Sequence, residues 1–129
     1  MPLIRIETRK PWSATQKKEI IEAVHSALRE AIKIPADDRN IRFHTYTPED
    51  FEVPPGKSEN YVLVEVSLFT GRTLQAKKEL YLGIVTNLGQ LGITAADVFI
   101  VLHEVPLDNW GIRGGIPASE VYLGFTVGV

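Results

Sequence analysis

The sequence predicts an α/β domain of the α+β kind, in which two tandem βαβ units share one four-stranded mixed sheet with both helices on one face. Three observations carry this. Alternating apolar residues mark four short segments, and apolar residues at three- and four-residue spacing mark two longer ones. The order strand, helix, strand then occurs twice, with matching residues in the two copies. Gln16-Lys17-Lys18-Glu19 recurs as Ala76-Lys77-Lys78-Glu79, and at a spacing one residue shorter Asp38 recurs as Asp97 and His44 as His103. The change of spacing falls at a helix end, where an insertion is easily absorbed. The chain 1–129 is read as a single domain, with pseudo-repeats at about 2–47 and 61–105 and a C-terminal segment 106–129. Each unit takes the right-handed crossover that parallel strands require.

Leu3 to Thr8 opens the chain as a short strand. Ser13-Ala14-Thr15-Gln16 matches a capping box, whose serine and glutamine side chains satisfy backbone N–H groups left open at a helix start. Ile20, Val24, Ala27, Leu28 and Ala31 follow at helical spacing and form one buried face. Pro35 ends that helix, because proline has no N–H to donate. Asn40 to Thr47 alternates as the second strand, with Ile41, Phe43 and Thr45 on one face. Pro48, Pro54, Pro55 and Gly56 mark a connection too rich in proline for regular structure. Tyr61 to Phe69 is the third strand, with Val62, Val64, Val66 and Leu68 in alternation. Leu80, Ile84, Leu88 and Leu91 line the second helix, which Gly92 closes, and Val98 to Val105 is the fourth strand.

Two helices cover one face of this sheet and leave the other to be explained. That face carries Phe99, Val101, His103 and Val105 on the fourth strand, and Tyr61, Leu63 and Phe69 on the third. Parallel strands are usually buried on both sides. A chain of 129 residues holds no third layer, so the expected cover is another subunit. A homo-oligomer follows.

Composition narrows the function by exclusion. The chain is 44% hydrophobic and long enough to bury one core without staples. It has no cysteine, which removes disulfides, thiolate zinc sites and cysteine nucleophiles. Fourteen basic residues against 16 acidic ones give a net charge of -2, no basis for nucleic-acid binding. No apolar run approaches the roughly 20 residues that span a membrane. Arg5, Glu7, Arg9 and Lys10 interrupt the N-terminus before a signal-peptide core can form. The expectation is a soluble, cytoplasmic protein with neither nucleic acid nor membrane as partner.

Several motifs fall away on inspection. Gly56-Lys57-Ser58 ends like a phosphate-binding loop, but the first glycine of that loop would fall on Phe51. Gly111-Ile112-Arg113-Gly114-Gly115 lacks the dinucleotide spacing and reads as turn chemistry. His103-Glu104 has no second histidine four residues on. His44 and His103 read as structural side chains rather than metal ligands, and no metal is expected. Lys17-Lys18 and Lys77-Lys78 read as solvated helix faces.

Pro2 is different. A proline behind the initiator methionine becomes a free secondary amine once Met1 is removed, here at the head of a strand. Met1-Pro2-Leu3-Ile4-Arg5-Ile6, followed by helix, strand and a second βαβ unit, resembles the tautomerase superfamily, and so do Phe69-Thr70-Gly71-Arg72 and Asn109-Trp110-Gly111-Ile112-Arg113-Gly114. The resemblance covers essentially the whole chain and is nearest to the fused, double-length group that includes malonate semialdehyde decarboxylase. It implies the tautomerase (MIF-like) fold, a homotrimer, and no cofactor. It also implies roles: Pro2 as catalytic acid or base, Arg72 gripping a substrate carboxylate, Asp38, or Asp37 beside it, working with the proline, and Trp110 and Ile112 forming an apolar wall. Thr70 stands where the decarboxylase has a second arginine, and Trp12 stands in the first unit where Arg72 stands in the second.

The chemistry also follows from the residues themselves. If a pseudo-twofold relates the units, the first and third strands run antiparallel, and Pro2 lies beside Thr70 to Arg72. A guanidinium binds a carboxylate bidentately and spreads the charge of a developing enolate. Burial and a nearby cation both lower an amine's pKa and leave it usable as a base. The leading reading is therefore a cofactor-independent tautomerase of 2-oxoacids or their enols. The alternatives are a 3-oxoacid decarboxylase or hydratase that uses protonated Pro2 with Asp38, and a non-catalytic ligand-binding member of the fold.

Overall fold

Both units are present in the computed structural model, which describes residues 2–122. The first comprises β1 (Leu3–Thr8), α1 (Ala14–Ile32) and β2 (Asn40–Thr45); the second comprises β3 (Val62–Phe69), α2 (Leu74–Gly89) and β4 (Val98–Val105). The four strands form one sheet in the order β2-β1-β3-β4. β1 pairs parallel with β2, β3 pairs parallel with β4, and the two units join through the antiparallel β1–β3 pair. A pseudo-twofold predicts this arrangement, since parallel partners inside each unit leave antiparallel neighbours between units. A two-stranded hairpin, β5 (Gly111–Ile112) with β6 (Ile116–Pro117), follows in the C-terminal segment. Among the described residues no helix is long and apolar enough to cross a membrane.

Local chemistry sets the element ends. The capping box at α1 forms in both directions: Gln16 N donates to Ser13 Oγ at 3.1 Å, and Ser13 N donates to Gln16 Oε1 at 3.0 Å. The helix stops at Lys33, which adopts left-handed φ 57°, two residues before Pro35. α2 ends sooner than the apolar spacing suggests. Leu91 lies beyond it, in a turn where Gly92 takes φ +88° and Ile93 N returns to Leu88 O. β2 is two residues shorter than its alternation, because Thr47 turns into a short 3-10 turn at Pro48–Asp50. The glycine cluster forms the β5–β6 turn, in which Arg113, Gly114 and Gly115 all take positive φ. That backbone is accessible to glycine without steric cost.

The core lies between sheet and helices. Ile4 and Ile6 of β1 and Val62, Val64, Val66 and Leu68 of β3 face Ile20, Val24 and Leu28 of α1 and Leu80, Ile84 and Leu88 of α2. The helices approach closely at Gly83, where an added Cβ would meet the Ala27 Cβ at 3.2 Å.

The opposite face is more polar and better covered than the alternation of β3 and β4 suggests. Phe69 and Tyr61 are buried by the chain itself: Trp110 meets the Phe69 ring edge-on at 5.1 Å, and Phe51 meets Tyr61 at 6.1 Å. Between these ends Glu65 accepts from His103 at 2.9 Å and pairs with Arg5 at 3.8 Å, while Tyr46 donates to buried Glu7. Phe99 stays half-exposed. Segments outside the regular elements thus supply part of a third layer that strand and helix counting omits.

Candidate active site

The antiparallel junction gathers four strand ends at one edge. The starts of β1 and β2 lie there with the ends of β3 and β4. Leu3 pairs with Asn40 on one side and with Ser67 on the other, so Pro2, one step back, stands between Arg39 and Leu68. Pro2 is buried, and it continues the row of Ile4 and Ile6 that faces the helices.

Arg72 reaches the same end of the interlayer space. It follows β3 by three residues and is buried to 7% exposure, with Nη1 donating to the Ile32 carbonyl at 3.0 Å. Ile32 ends α1, where carbonyls lack helical partners and the dipole is negative, so a guanidinium is well suited to the position. Burial lowers the Arg72 pKa from its ordinary value, yet an arginine keeps its charge. The guanidinium is thus a fixed buried cation and a brace between the two units.

Thr70 is exposed, and its N–H donates to the Val105 carbonyl at 3.2 Å, tying the ends of β3 and β4. Trp110 donates from Nε1 to the same carbonyl at 3.0 Å while its ring covers Phe69. Ile112 lies half-buried in β5. Asp38 follows a turn in which its N–H donates to Pro35 O at 3.1 Å, and it is half-buried where Asp37 is exposed. Pro2, Asp38, Thr70, Arg72 and Trp110 therefore share one edge.

The opposite edge is built differently. There Tyr61 precedes β3 as Pro2 precedes β1, and Trp12 replaces the arginine. Lys10 sits 4.3 Å from the Trp12 ring centre and donates to Asn60 at 3.1 Å. Asp97, the counterpart of Asp38, accepts from Ser58 N at 2.8 Å and Ser58 Oγ at 2.5 Å. These bonds hold its carboxyl below the ordinary value. Ser58 of the discarded phosphate motif is thus a structural clasp. His44 and His103 lie on the two edge strands, three strand spacings apart and offset by four residues along the strands, roughly 19 Å in all.

One cluster joins Asp38 to residues not singled out in the sequence. His25 of α1 is fully buried and contacts both Asp38 and Arg39, and Arg39 in turn holds Glu22. Its signal was available. His25 is a polar residue inside the apolar run Val24 to Leu28, and such residues are buried only with partners.

Two family models, both described as "Tautomerase enzyme", match residues 38–113 and 2–57. The chain is 37% identical over 59 residues to "Probable tautomerase RSp0893" of Ralstonia nicotianae, covering 44% of this chain and 81% of that one. In three dimensions it is similar to the FG41 malonate semialdehyde decarboxylase inhibited by 3-bromopropiolate, at 32% identity and TM-score 0.81, with 89% of this chain and 92% of that chain covered. It is also similar to the Q0 fused 4-OT, described as a symmetric trimer, at 25% identity and TM-score 0.80 over 91% and 96% of the chains. Family models and fold together define a double-length enzyme of the tautomerase superfamily. The chain belongs to the tautomerase family.

Proposed function

We propose that the chain is a cofactor-independent tautomerase in which Pro2, freed by removal of Met1, moves a proton on 2-oxoacids or their enols. The observation that carries this is the pairing of a buried strand-head proline with a buried cation, Arg72, at one end of the same interlayer space. Burial and positive charge both favour the neutral amine, the form a base requires. Arg72 is assigned to the substrate carboxylate, with Thr70, Trp110 and Ile112 as the surrounding wall. A homotrimer is part of this reading, supported by the fused 4-OT described as a trimer.

A second reading rests on a different observation. The likeness to a malonate semialdehyde decarboxylase and the placement of Asp38 next to Pro2's strand position favour a 3-oxoacid decarboxylase or hydratase. That chemistry needs the ammonium form, which a carboxylate stabilises. The two readings give opposite pH profiles. Tautomerase activity toward an aryl 2-oxoacid enol should rise through the amine's pKa, and Pro2→Ala should reduce it by orders of magnitude. Asp38→Asn should then cost less than tenfold, under about 1.4 kcal/mol. A falling profile with an inactive Asp38→Asn would select the decarboxylase. Intact mass, measured first, establishes whether Met1 has left.

A further inference from the structure

We infer that His25 is a positioning residue, which sets the Asp38 backbone and through it the protonation of Pro2. The inference rests on the reading of Pro2 and Asp38 given above.

His25 is 0% exposed on a helix whose other buried residues are aliphatic. Both ring nitrogens are engaged by consecutive residues of the segment between α1 and β2. Nδ1 lies 2.9 Å from Arg39 Nη1, and Nε2 lies 3.2 Å from the Asp38 carbonyl. Arginine can only donate, so Nδ1 must accept. The single ring proton then belongs on Nε2, where it donates to Asp38 O. The hydrogen-bond geometry thus fixes the tautomer.

Arg39 is itself anchored. Its Nη1 and Nη2 donate to the Glu22 carboxylate at 3.2 and 2.9 Å, one helical turn before His25. The Glu22 carboxyl is held below its ordinary value chiefly by that bond, with the charges of Arg39 and Arg29 adding attraction. The charged groups around the ring are therefore Glu22 and Arg29 from α1, and Asp38 and Arg39 from the following segment. Asp38 is held at its own N–H by Pro35 O and at its carbonyl by His25, and the next residue, Arg39, is held by His25 and Glu22. The β1–β2 register brings this segment to Pro2.

A carboxylate held near an ammonium raises its pKa, and a carboxylate that wanders raises it less. The test titrates the Pro2 amine by NMR in proline-labelled protein lacking Met1, a measurement that needs no substrate. His25→Leu should move the midpoint in the same direction as Asp38→Asn, downward, by about half a pH unit or more. His25→Gln, whose amide N–H can reach the same carbonyl, should restore most of the difference. Arg39→Lys, which keeps the cation opposite Pro2 but loses the fork that joins His25 to Glu22, should give a smaller downward shift without threatening the core. In an Asp38→Asn background His25→Leu should add nothing, whereas a merely structural histidine would act there equally. The inference is overturned if Asp38→Asn moves the midpoint while His25→Leu and Arg39→Lys leave it in place. It is also overturned if Asp38→Asn itself has no effect, since nothing then remains to be positioned. Pro2 as the base is judged separately, by the Pro2→Ala rate.

Discussion

Arg72 joins two jobs in one side chain, and substitutions can separate them. Its Nη1 bond to Ile32 O satisfies a buried carbonyl at the end of α1, so Arg72→Ala leaves that group bare and should cost about 1–3 kcal/mol of stability. Arg72→Lys can keep a donor near the carbonyl but cannot present a bidentate fork. Urea unfolding should show Arg72→Lys closer to wild type than Arg72→Ala, while both lose most activity toward an enol carboxylate. Near-normal rates in Arg72→Lys would make the residue a brace alone. Asp97 offers a contrasting carboxylate, with no assigned chemistry and a folded-state pKa lowered by Ser58. Because the folded value is below the ordinary 3.8, the stabilisation is complete above that value. It fades as the pH falls through the lowered folded one. Ser58→Ala should therefore lower the melting temperature at neutral pH, with the gap to wild type closing in acid.

The helices are specified most strongly at their beginnings. Ser13 and Gln16 exchange two hydrogen bonds at the α1 N-terminus, and Thr73 Oγ1 accepts from Ala76 N at 3.1 Å at the α2 N-terminus. Ser13→Ala removes the side-chain acceptor and should destabilise the fold by about 1 kcal/mol in denaturant titrations. Catalysis should be unaffected, because Ser13 lies at the end of the sheet remote from Pro2. A strand neighbour matters differently. Lys77 of α2 donates to Glu104 of β4 at 2.5 Å, so one of the charges expected to face only solvent ties helix to sheet.

At the scale of the whole molecule, two similar units carry different ends. The edge with Pro2 and Arg72 is the one to which the proposed function assigns proton transfer, while the edge with Tyr61 and Trp12 carries the Ser58–Asp97 clasp. The sheet face away from the helices remains open at Leu3 and Phe99 beside the Arg5–Glu65 ion pair and the His103–Glu65 hydrogen bond. If that face is covered by further copies, light scattering at micromolar concentration should give about three times the 14.4 kDa chain mass. A stable monomer would overturn both the oligomer and its number.

Alternation at Val62 to Leu68, helical spacing from Ile20 to Ala31, and the Ser13 box were sufficient to locate all four main strands and both helices, because each reports backbone geometry over a few neighbouring residues. The internal repeat carried the topology further, since two parallel pairs related by a twofold must meet antiparallel, and that alone brings Pro2 toward Arg72. Tertiary structure decided what depends on side chains meeting across long stretches of chain. Arg72 finds Ile32 and Ser58 finds Asp97; Trp110 covers Phe69, and His25 grips Asp38 and Arg39. None of these pairs shares a period or a motif. Their partners are chosen by which polar groups remain unsatisfied once the layers pack, a condition that exists only in the folded chain.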